Sequence, residues 1–303
     1  MSTAAIRIIA EDIKIAHSVF ALPFAMLGAF MAASTVAEPG SFPWSGFIGP
    51  LFLVALAMVF ARTSAMLSNR ILDARIDAGN PRTAGRAIPS GRLPMATARL
   101  AFAASSAGFL VICVLFGVLH GNWWPTILGV PVLSWICAYG LFKRFTWFCH
   151  VWLGMSLGLS PIAAAIAIEP SALSGASIWL LSGMVVCWVA GFDVIYALQD
   201  VEVDERDGLF SIPARFGTQG ALSISRLLHV LAVILLTLTW QTEPGFGNLF
   251  LAAVVLVAIL LLVEHATVKS WGTTRMALTF VTLNGVVSIV VGLAGITDLL
   301  NAS

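Results

Sequence analysis

Long apolar segments separated by short polar ones recur along the whole chain. Because a helix needs about 20 apolar residues to cross a bilayer, nine segments are predicted to span it: 15–35, 47–67, 95–119, 123–142, 149–168, 176–197, 221–240, 247–264 and 276–298. None shows the strict apolar–polar alternation of a membrane β-strand. Lipid offers the backbone no hydrogen-bond partners, so each segment should be a helix. The pattern predicts an all-α, polytopic membrane bundle of nine transmembrane helices, with one domain over 1–303.

Composition strengthens this prediction. The chain is 59% hydrophobic and 10% charged, whereas a soluble domain carries about 25% charged residues. Its surroundings should therefore be membrane lipid. A net charge of +1 argues against nucleic acid as a partner. The four cysteines lie in apolar segments without a metal-binding spacing, so we expect them to serve as small apolar residues.

The basic residues predict the orientation. All sixteen Lys and Arg lie before the first segment, in alternate connections, or at the adjoining helix ends. The opposite connections carry Glu38, Glu169 and Glu243, and Asp298 lies near the C-terminus. Since positive charge stays in the cytoplasm, we expect a multi-pass protein of the cell inner (plasma) membrane, with its N-terminus inside and its C-terminus outside. This arrangement requires an odd number of spans, which agrees with nine. The first segment is interpreted as a retained helix and not a cleaved signal.

Acidic clusters begin the two longest predicted cytoplasmic connections, 68–94 and 198–220. Residues four apart share a helix face, so each cluster should form a stripe. The members of the stripes are Asn69, Asp73 and Asp77 in the first, and Asp193, Tyr196, Asp200 and Asp204 in the second. An offset of 127 residues relates the two DxxxD pairs. This predicts pseudo-repeat halves over about 1–145 and 146–303, with two Asp-rich cytoplasmic loops that face each other across a central cavity.

The residue types in these connections favour phosphate chemistry. Carboxylate oxygens are ligands that suit Mg²⁺, and converging carboxylates would repel each other without a cation. The basic groups nearby suit phosphate oxygens, Arg as a fork and Lys as a point charge. They are Arg82, Arg86, Lys143, Arg144 and Arg215. The sequence thus predicts a Mg²⁺ site for a phosphorylated substrate on the cytoplasmic side.

Arg62 is a separate prediction. It lies seven residues before Asn69, on the same helix face and deeper in the bilayer. A buried arginine in a membrane requires an anionic partner. We expect that partner to be the carboxylate of an acceptor substrate or Asp193 across the cavity. His17 has the position of a structural or interfacial histidine.

These motifs resemble the UbiA superfamily of intramembrane prenyltransferases. The family's first motif, NDxxDxxxD, is matched from Asn69 to Asp77, with Arg70 in place of the second residue. An Asn-Arg start, with the NPRT sequence that follows at 80–83, is similar to the bacterial 4-hydroxybenzoate polyprenyltransferase branch. The second motif, DxxxD, matches Asp200 and Asp204, and YxxxK matches 139–143. The resemblance covers nearly the whole chain.

The resemblance implies specific roles. Mg²⁺ would be held against a polyprenyl diphosphate by Asp73, Asp77, Asp200 and Asp204. Diphosphate oxygens would be bound by Asn69, Arg70, Arg82 and Lys143. Beyond what the resemblance implies, we expect Arg62 and Tyr139 to bind the aromatic acceptor, and Asp193 and Tyr196 to orient it or accept its proton. The isoprenoid tail would lie in the apolar bundle.

The expected function is Mg²⁺-dependent prenylation of 4-hydroxybenzoate or a related carboxylated aromatic, in ubiquinone or menaquinone biosynthesis. Other acceptors stay open: 1,4-dihydroxy-2-naphthoate, a chlorophyll precursor or haem. A different class of function is a divalent-cation or organic-ion transporter, although transporter carboxylates typically lie near the bilayer midplane. A CDP-alcohol phosphotransferase is disfavoured, since its motif is one contiguous stretch and this chain has two distant clusters.

Overall fold

The computed structural model describes residues 3–13, 20–38, 40–274, 276 and 282–302. Among the described residues its principal elements are eleven α-helices, with a short 3₁₀ turn at Pro170–Ser174 and an isolated bridge between Glu38 and Ser41. The helices are α1 (Thr3–Asp12), α2 (Leu22–Ser34), α3 (Trp44–Gly79), α4 (Met95–His120), α5 (Trp124–Phe142), α6 (Cys149–Ile168), α7 (Ser177–Ala197), α8 (Val201–Arg206), α9 (Ile212–Thr242), α10 (Asn248–Trp271) and α11 (Asn284–Ala302).

Eight described helices, α3–α7 and α9–α11, are long and apolar enough to cross a membrane. The prediction of an all-helical membrane bundle is therefore confirmed. The first predicted span, 15–35, corresponds to the 13-residue apolar helix α2. Residues 14–19, which include His17, lie outside the described residues. The last predicted span, 276–298, corresponds to α11, and residues 277–281 also lie outside them.

The first acidic cluster lies on a helix and not in a loop, which corrects the prediction of an Asp-rich loop. Helix α3 continues for 36 residues and ends at Gly79. At about 1.5 Å per residue it is roughly 54 Å long, well beyond a hydrocarbon core of about 30 Å. Asp73 and Asp77 occupy its last two turns, and the loop of residues 80–94 begins only after them.

The second acidic cluster is divided between two helices, so the prediction of one continuous stripe is wrong. Asp193 and Tyr196 belong to α7, which ends at Ala197. Asp200 directly precedes α8, and Asp204 lies within it. The Asp200 side chain makes no capping bond to α8. Its carboxylate binds Asn80 and Arg82 instead, so contacts with the 80–94 loop fix this turn.

Helix α7 forms the centre of the bundle. Leu181, Met184 and Trp188 are fully buried on it, and α6 and α9 pack along it. Small residues allow neighbouring helices to approach closely, as in many membrane bundles. A Cβ on Gly28 of α2 would lie 2.4 Å from the Pro161 carbonyl oxygen of α6. A Cβ on Gly154 of α6 would lie 2.4 Å from the Val186 carbonyl oxygen of α7.

Candidate active site

One cavity of about 1000 Å³ opens among α3, α5, α6 and α7. All twelve residues that were given a specific role from the sequence line it: Arg62, Asn69, Arg70, Asp73, Asp77, Arg82, Tyr139, Lys143, Asp193, Tyr196, Asp200 and Asp204. Of the other basic residues expected to suit phosphate, Arg86 lines the cavity, whereas Arg144 and Arg215 do not. The two acidic clusters therefore share one cavity, as the pattern predicted. Their assigned roles are not decided by position alone and stay predictions.

The cavity has a charged end and a long apolar wall. Asp73 lines the charged end, and Val54, nineteen residues earlier on α3, lines the opposite end. At about 1.5 Å per residue these positions are roughly 28 Å apart along the helix. The wall between them includes Met58, Phe109 and Leu157. A ligand with a compact charged head and a long apolar tail fits this shape.

Asp73 is held by two cations from the end of α5. Lys143 Nζ lies 2.5 Å from Asp73 Oδ2, and Arg144 Nη2 lies 3.0 Å from Oδ1. The Asp73 side chain is 2% exposed, whereas those of Lys143 and Arg144 are 28% and 30% exposed. A carboxylate buried to this extent requires pairing or neutralisation. Arg144 also donates to the Leu72 carbonyl oxygen, which joins α5 to α3.

The 80–94 loop brings cations to the other acidic side chains. Arg86 Nη1 donates to both Asp77 oxygens at 2.7 Å. Arg82 pairs with Asp200, and Asn80 Nδ2 donates to Asp200 Oδ1 at 2.9 Å. Asn80 also accepts the Arg82 backbone N–H through its side-chain oxygen, at 2.9 Å. This loop therefore connects the first acidic cluster to the second.

Arg82 also contacts Tyr196. Its Nη1 donates to the Tyr196 hydroxyl at 2.8 Å, and the guanidinium lies 5.1 Å from the centre of that ring. Burial is the largest influence on the pKa of Arg82 and lowers it, but the hydrogen bonds and charges of Asp200 and Tyr196 together outweigh burial, so the pKa is raised above its usual value. On α8, burial raises the pKa of Asp204; the Ser211 hydroxyl opposes this shift and the Asp200 charge adds to it.

The N-terminal helix α1 supplies a residue that the sequence analysis did not identify. Asp12 lies 3.2 Å from Arg70 Nε, with both side chains less than a tenth exposed. Asp12 Oδ1 also accepts the Ala87 backbone N–H at 2.7 Å. Nearby, Arg62 Nη2 donates to the Ile13 carbonyl oxygen at 3.3 Å. Both predicted cavity arginines of α3 are thus in contact with the end of α1. The available sequence signal was the position of Asp12 at the end of the amphipathic stretch that forms α1.

His150 is a second residue that the sequence analysis missed. It lies at the start of α6, and its Nδ1 is 2.7 Å from Asp193 Oδ2. Its Nε2 accepts the Ile212 backbone N–H at 3.2 Å. The available signal was a histidine at the edge of an apolar segment, on the same side as the acidic clusters.

The oxygen donors of the charged end suit Mg²⁺ chemically, since Asp73, Asp77, Asp200 and Asp204 are hard anionic ligands. Within the described part of the chain, no three Asp, Glu, His or Cys side chains converge closely enough to hold a metal ion. Lys and Arg side chains neutralise Asp73, Asp77 and Asp200 instead. The chemistry of these carboxylates fits Mg²⁺. To bind the ion, they would have to release the Lys and Arg side chains with which they are paired.

Comparisons with known proteins agree with this geometry. The sequence pattern of the UbiA prenyltransferase family matches residues 21–286. The 4-hydroxybenzoate octaprenyltransferase of Yersinia enterocolitica is 30% identical over 197 residues, which cover 64% of this chain and 65% of that protein. The alignment thus spans slightly less than two thirds of the Yersinia protein.

Solved structures share the fold. A UbiA homologue from Aeropyrum pernix K1 has a TM-score of 0.79 and 30% identity, covering 94% of this chain and 98% of its own. A UbiA homologue from Archaeoglobus fulgidus bound to DMAPP and Mg²⁺ has a TM-score of 0.71 at 15% identity, covering 96% and 98%.

Proposed function

The chain belongs to the UbiA prenyltransferase family, and from this premise we propose that it transfers a polyprenyl group from a polyprenyl diphosphate to an aromatic acceptor, with Mg²⁺ as the metal. The proposed acceptor is 4-hydroxybenzoate or a related carboxylated aromatic, in the biosynthesis of ubiquinone or menaquinone. The name of the Yersinia relative supports this acceptor. DMAPP and Mg²⁺ in the Archaeoglobus homologue support the class of donor and the metal.

The observation that carries the proposal is the division of the cavity into a charged end and an apolar wall. A polyprenyl diphosphate has the same division, because its head is anionic and its tail is hydrocarbon. The head would lie among the side chains of α3, α5 and the 80–94 loop. The tail would extend toward Val54, where burial of each CH₂ contributes about 0.8 kcal/mol.

Asp73, Asp77, Asp200 and Asp204 would hold Mg²⁺, and Asn69, Arg70, Arg82 and Lys143 would bind diphosphate oxygens. The ion, when bound, supplies positive charge to the departing diphosphate. At the charged end, Lys143 is paired with Asp73, and Arg82 is paired with Asp200. With Mg²⁺ held by those carboxylates, Lys143 and Arg82 would be available to bind diphosphate oxygens. Their positive charge then stabilises the negative charge that develops on the leaving group.

Residues on the cavity wall next to the charged end would bind the acceptor. Arg62 and Tyr139 line that wall, and we propose that they bind the acceptor's carboxylate and ring. A guanidinium suits a carboxylate because its N–H groups form a planar fork. Asp193 and Tyr196 would orient the acceptor or accept the proton that leaves the ring.

The charged end is proposed to face the cytoplasm, in the inner membrane of the cell. The basic residues of the connections at this end support that orientation, because positive charge is retained on the cytoplasmic side. Glu38, Glu169 and Glu243 lie in the opposite connections. A cysteine placed at Arg215 and one placed at Ser174 should label from opposite sides of inverted membrane vesicles.

A matrix of donors and acceptors tests the proposed function. Purified protein in detergent is given prenyl diphosphates of several chain lengths with 4-hydroxybenzoate or 1,4-dihydroxy-2-naphthoate, and products are identified by mass spectrometry. We expect a prenylated 4-hydroxybenzoate that forms with Mg²⁺ and disappears with EDTA. Absence of product with every donor, together with ion flux in liposomes, would support a transporter instead.

A further inference from the structure

We propose that His150 is a positioning residue that holds Asp193 as the base for the proton leaving the acceptor ring. The inference rests on the proposed function, because it assigns a role within the same reaction. His150 lies in α6 and Asp193 in α7, so the pair joins two helices at the cavity. The side chain of His150 is 4% exposed, whereas that of Asp193 is 22% exposed. The carboxylate can therefore reach a substrate, while the imidazole is enclosed behind it.

Two hydrogen bonds determine the form of the imidazole. The Ile212 N–H donates to Nε2, so Nε2 presents a lone pair and carries no proton. The proton of a neutral imidazole must then be on Nδ1, which donates to Asp193 Oδ2 at 2.7 Å. Ile212 is the first residue of α9, so its N–H has no acceptor within the helix and is available to Nε2. The geometry therefore points to a neutral ring with Nδ1–H.

The partner of Asp193 differs from those of the other paired carboxylates in this cavity. Asp12, Asp73, Asp77 and Asp200 are each paired with an Arg or Lys side chain. An adjacent cation lowers proton affinity, so such carboxylates are poor bases. The ring of His150 fixes the orientation of Asp193 without placing a full positive charge beside it. In many active sites the catalytic base is likewise held in position by a hydrogen bond from a further side chain.

The electron and proton balance is simple. The C–O bond to diphosphate breaks, and its electron pair leaves with the diphosphate. A ring π pair forms the new C–C bond to the prenyl carbon. The proton on that ring carbon passes to a free oxygen of Asp193, and the C–H electron pair restores aromaticity. Asp193 then releases the proton to water, while His150 keeps its Nδ1 proton throughout.

Two substitutions separate the two bonds of His150. In His150→Asn, the amide nitrogen can occupy the position of Nδ1 and keep the bond to Asp193. In His150→Gln, the amide can reach the position of Nε2 and keep the bond to Ile212, but the donor to Asp193 is lost. If His150 were only structural, by closing the N-terminus of α9, the Gln variant should be the better replacement. If His150 positions Asp193, the Asn variant should retain more activity than the Gln variant.

Kinetics with 4-hydroxybenzoate deuterated at the ring positions ortho to the hydroxyl provides the main test. We expect kcat of His150→Gln to fall roughly 10- to 100-fold, at or below the lower end of general-base effects because Asp193 itself is retained, with the donor KM changed less than 2-fold. Loss of the proton should become rate-limiting, so a primary deuterium effect should emerge in His150→Gln and Asp193→Asn. Wild type and His150→Asn should show little effect. Equal loss in the Asn and Gln variants without an isotope effect would overturn the proposal.

A spectroscopic test does not depend on turnover. The chain has five histidines, so ¹⁵N-histidine labelling with subtraction of the His150→Gln spectrum assigns His150. We expect a protonated Nδ1 and an unprotonated Nε2, with the Nδ1–H resonance shifted in Asp193→Asn. An imidazolium, or a proton on Nε2, would contradict the inference. Failure of the proposed function is distinct from either result, since wild type itself would then prenylate no aromatic acceptor.

Discussion

Removal of the Arg86 guanidinium should destabilise the protein in a way that Mg²⁺ partly reverses. Arg86 Nη1 lies 2.7 Å from both Asp77 oxygens, with the Asp77 side chain 5% exposed and that of Arg86 23% exposed. Loss of one partner from a buried pair costs about 3–5 kcal/mol. Partial exposure of Arg86 and water in the cavity reduce this cost. For Arg86→Met we therefore expect a loss of about 2–3 kcal/mol.

The measurement is thermal unfolding in detergent, followed by tryptophan fluorescence at one fixed scan rate. At about 2 °C per kcal/mol for a chain of this size, Tm should fall by roughly 4–6 °C. Arg75→Met is the matched control, because Arg75 is exposed on the same helix between Asp73 and Asp77. Its effect should stay within about 0.5 kcal/mol.

The dependence of Tm on Mg²⁺ tests whether the ion can replace Arg86 as the partner of Asp77. If Asp77 holds the metal, saturating Mg²⁺ should return at least half of the Tm lost in Arg86→Met, because the ion replaces the missing positive charge. The same ion should change Arg75→Met no more than wild type. Equal Tm values for the two variants without Mg²⁺ would refute the assigned ion pair. An unchanged deficit with Mg²⁺ would exclude Asp77 as a ligand.

Three further substitutions have distinct expected outcomes. Asp73→Asn should abolish prenyl transfer. Membrane expression and the unfolding temperature should stay close to wild type, because the amide still accepts a hydrogen bond from Lys143. Residual turnover above a tenth of wild type would exclude Asp73 as an essential metal ligand. Arg62→Ala should raise the acceptor KM far more than the donor KM, and equal increases would remove Arg62 from the acceptor site. Gly28→Ala should destabilise the protein by about 1–3 kcal/mol through overpacking against α6, whereas Gly46→Ala, with open space at its Cβ, should not lower the unfolding temperature.

The helical elements were accessible from the sequence because each depends on local properties. Apolar length alone predicted four of the nine spans to within a few residues, namely α4, α5, α6 and α7. The spacing of Asp73 and Asp77 placed both on one helix face, and both line the cavity. The end of α3 was predicted too early, because the charged turn after residue 67 was interpreted as a loop. It stays helical where Asp73 and Asp77 meet cations from α5 and the 80–94 loop.

The second acidic cluster shows what residue spacing cannot predict, namely where a helix ends. A continuous helix would have placed Asp193 and Asp204 on one stripe, but α7 ends at Ala197. The turn depends on the contact between Asp200 and Asn80, which are 120 residues apart. His150 and Asp12 were missed for the same reason, since neither lies in a motif and each meets its partner only in the folded bundle.

Hydrophobic length and residue spacing act over one or a few helical turns, so they were enough to predict a membrane bundle, two acidic clusters and a family resemblance. The packing of the helices determines which side chains pair across the cavity: Lys143 with Asp73, Arg86 with Asp77, and His150 with Asp193. Such pairs form because a dehydrated charge or polar group must find a partner, and the available partners depend on how the helices pack. The acids that a motif search identifies are thus held by side chains whose positions the packing of the bundle sets.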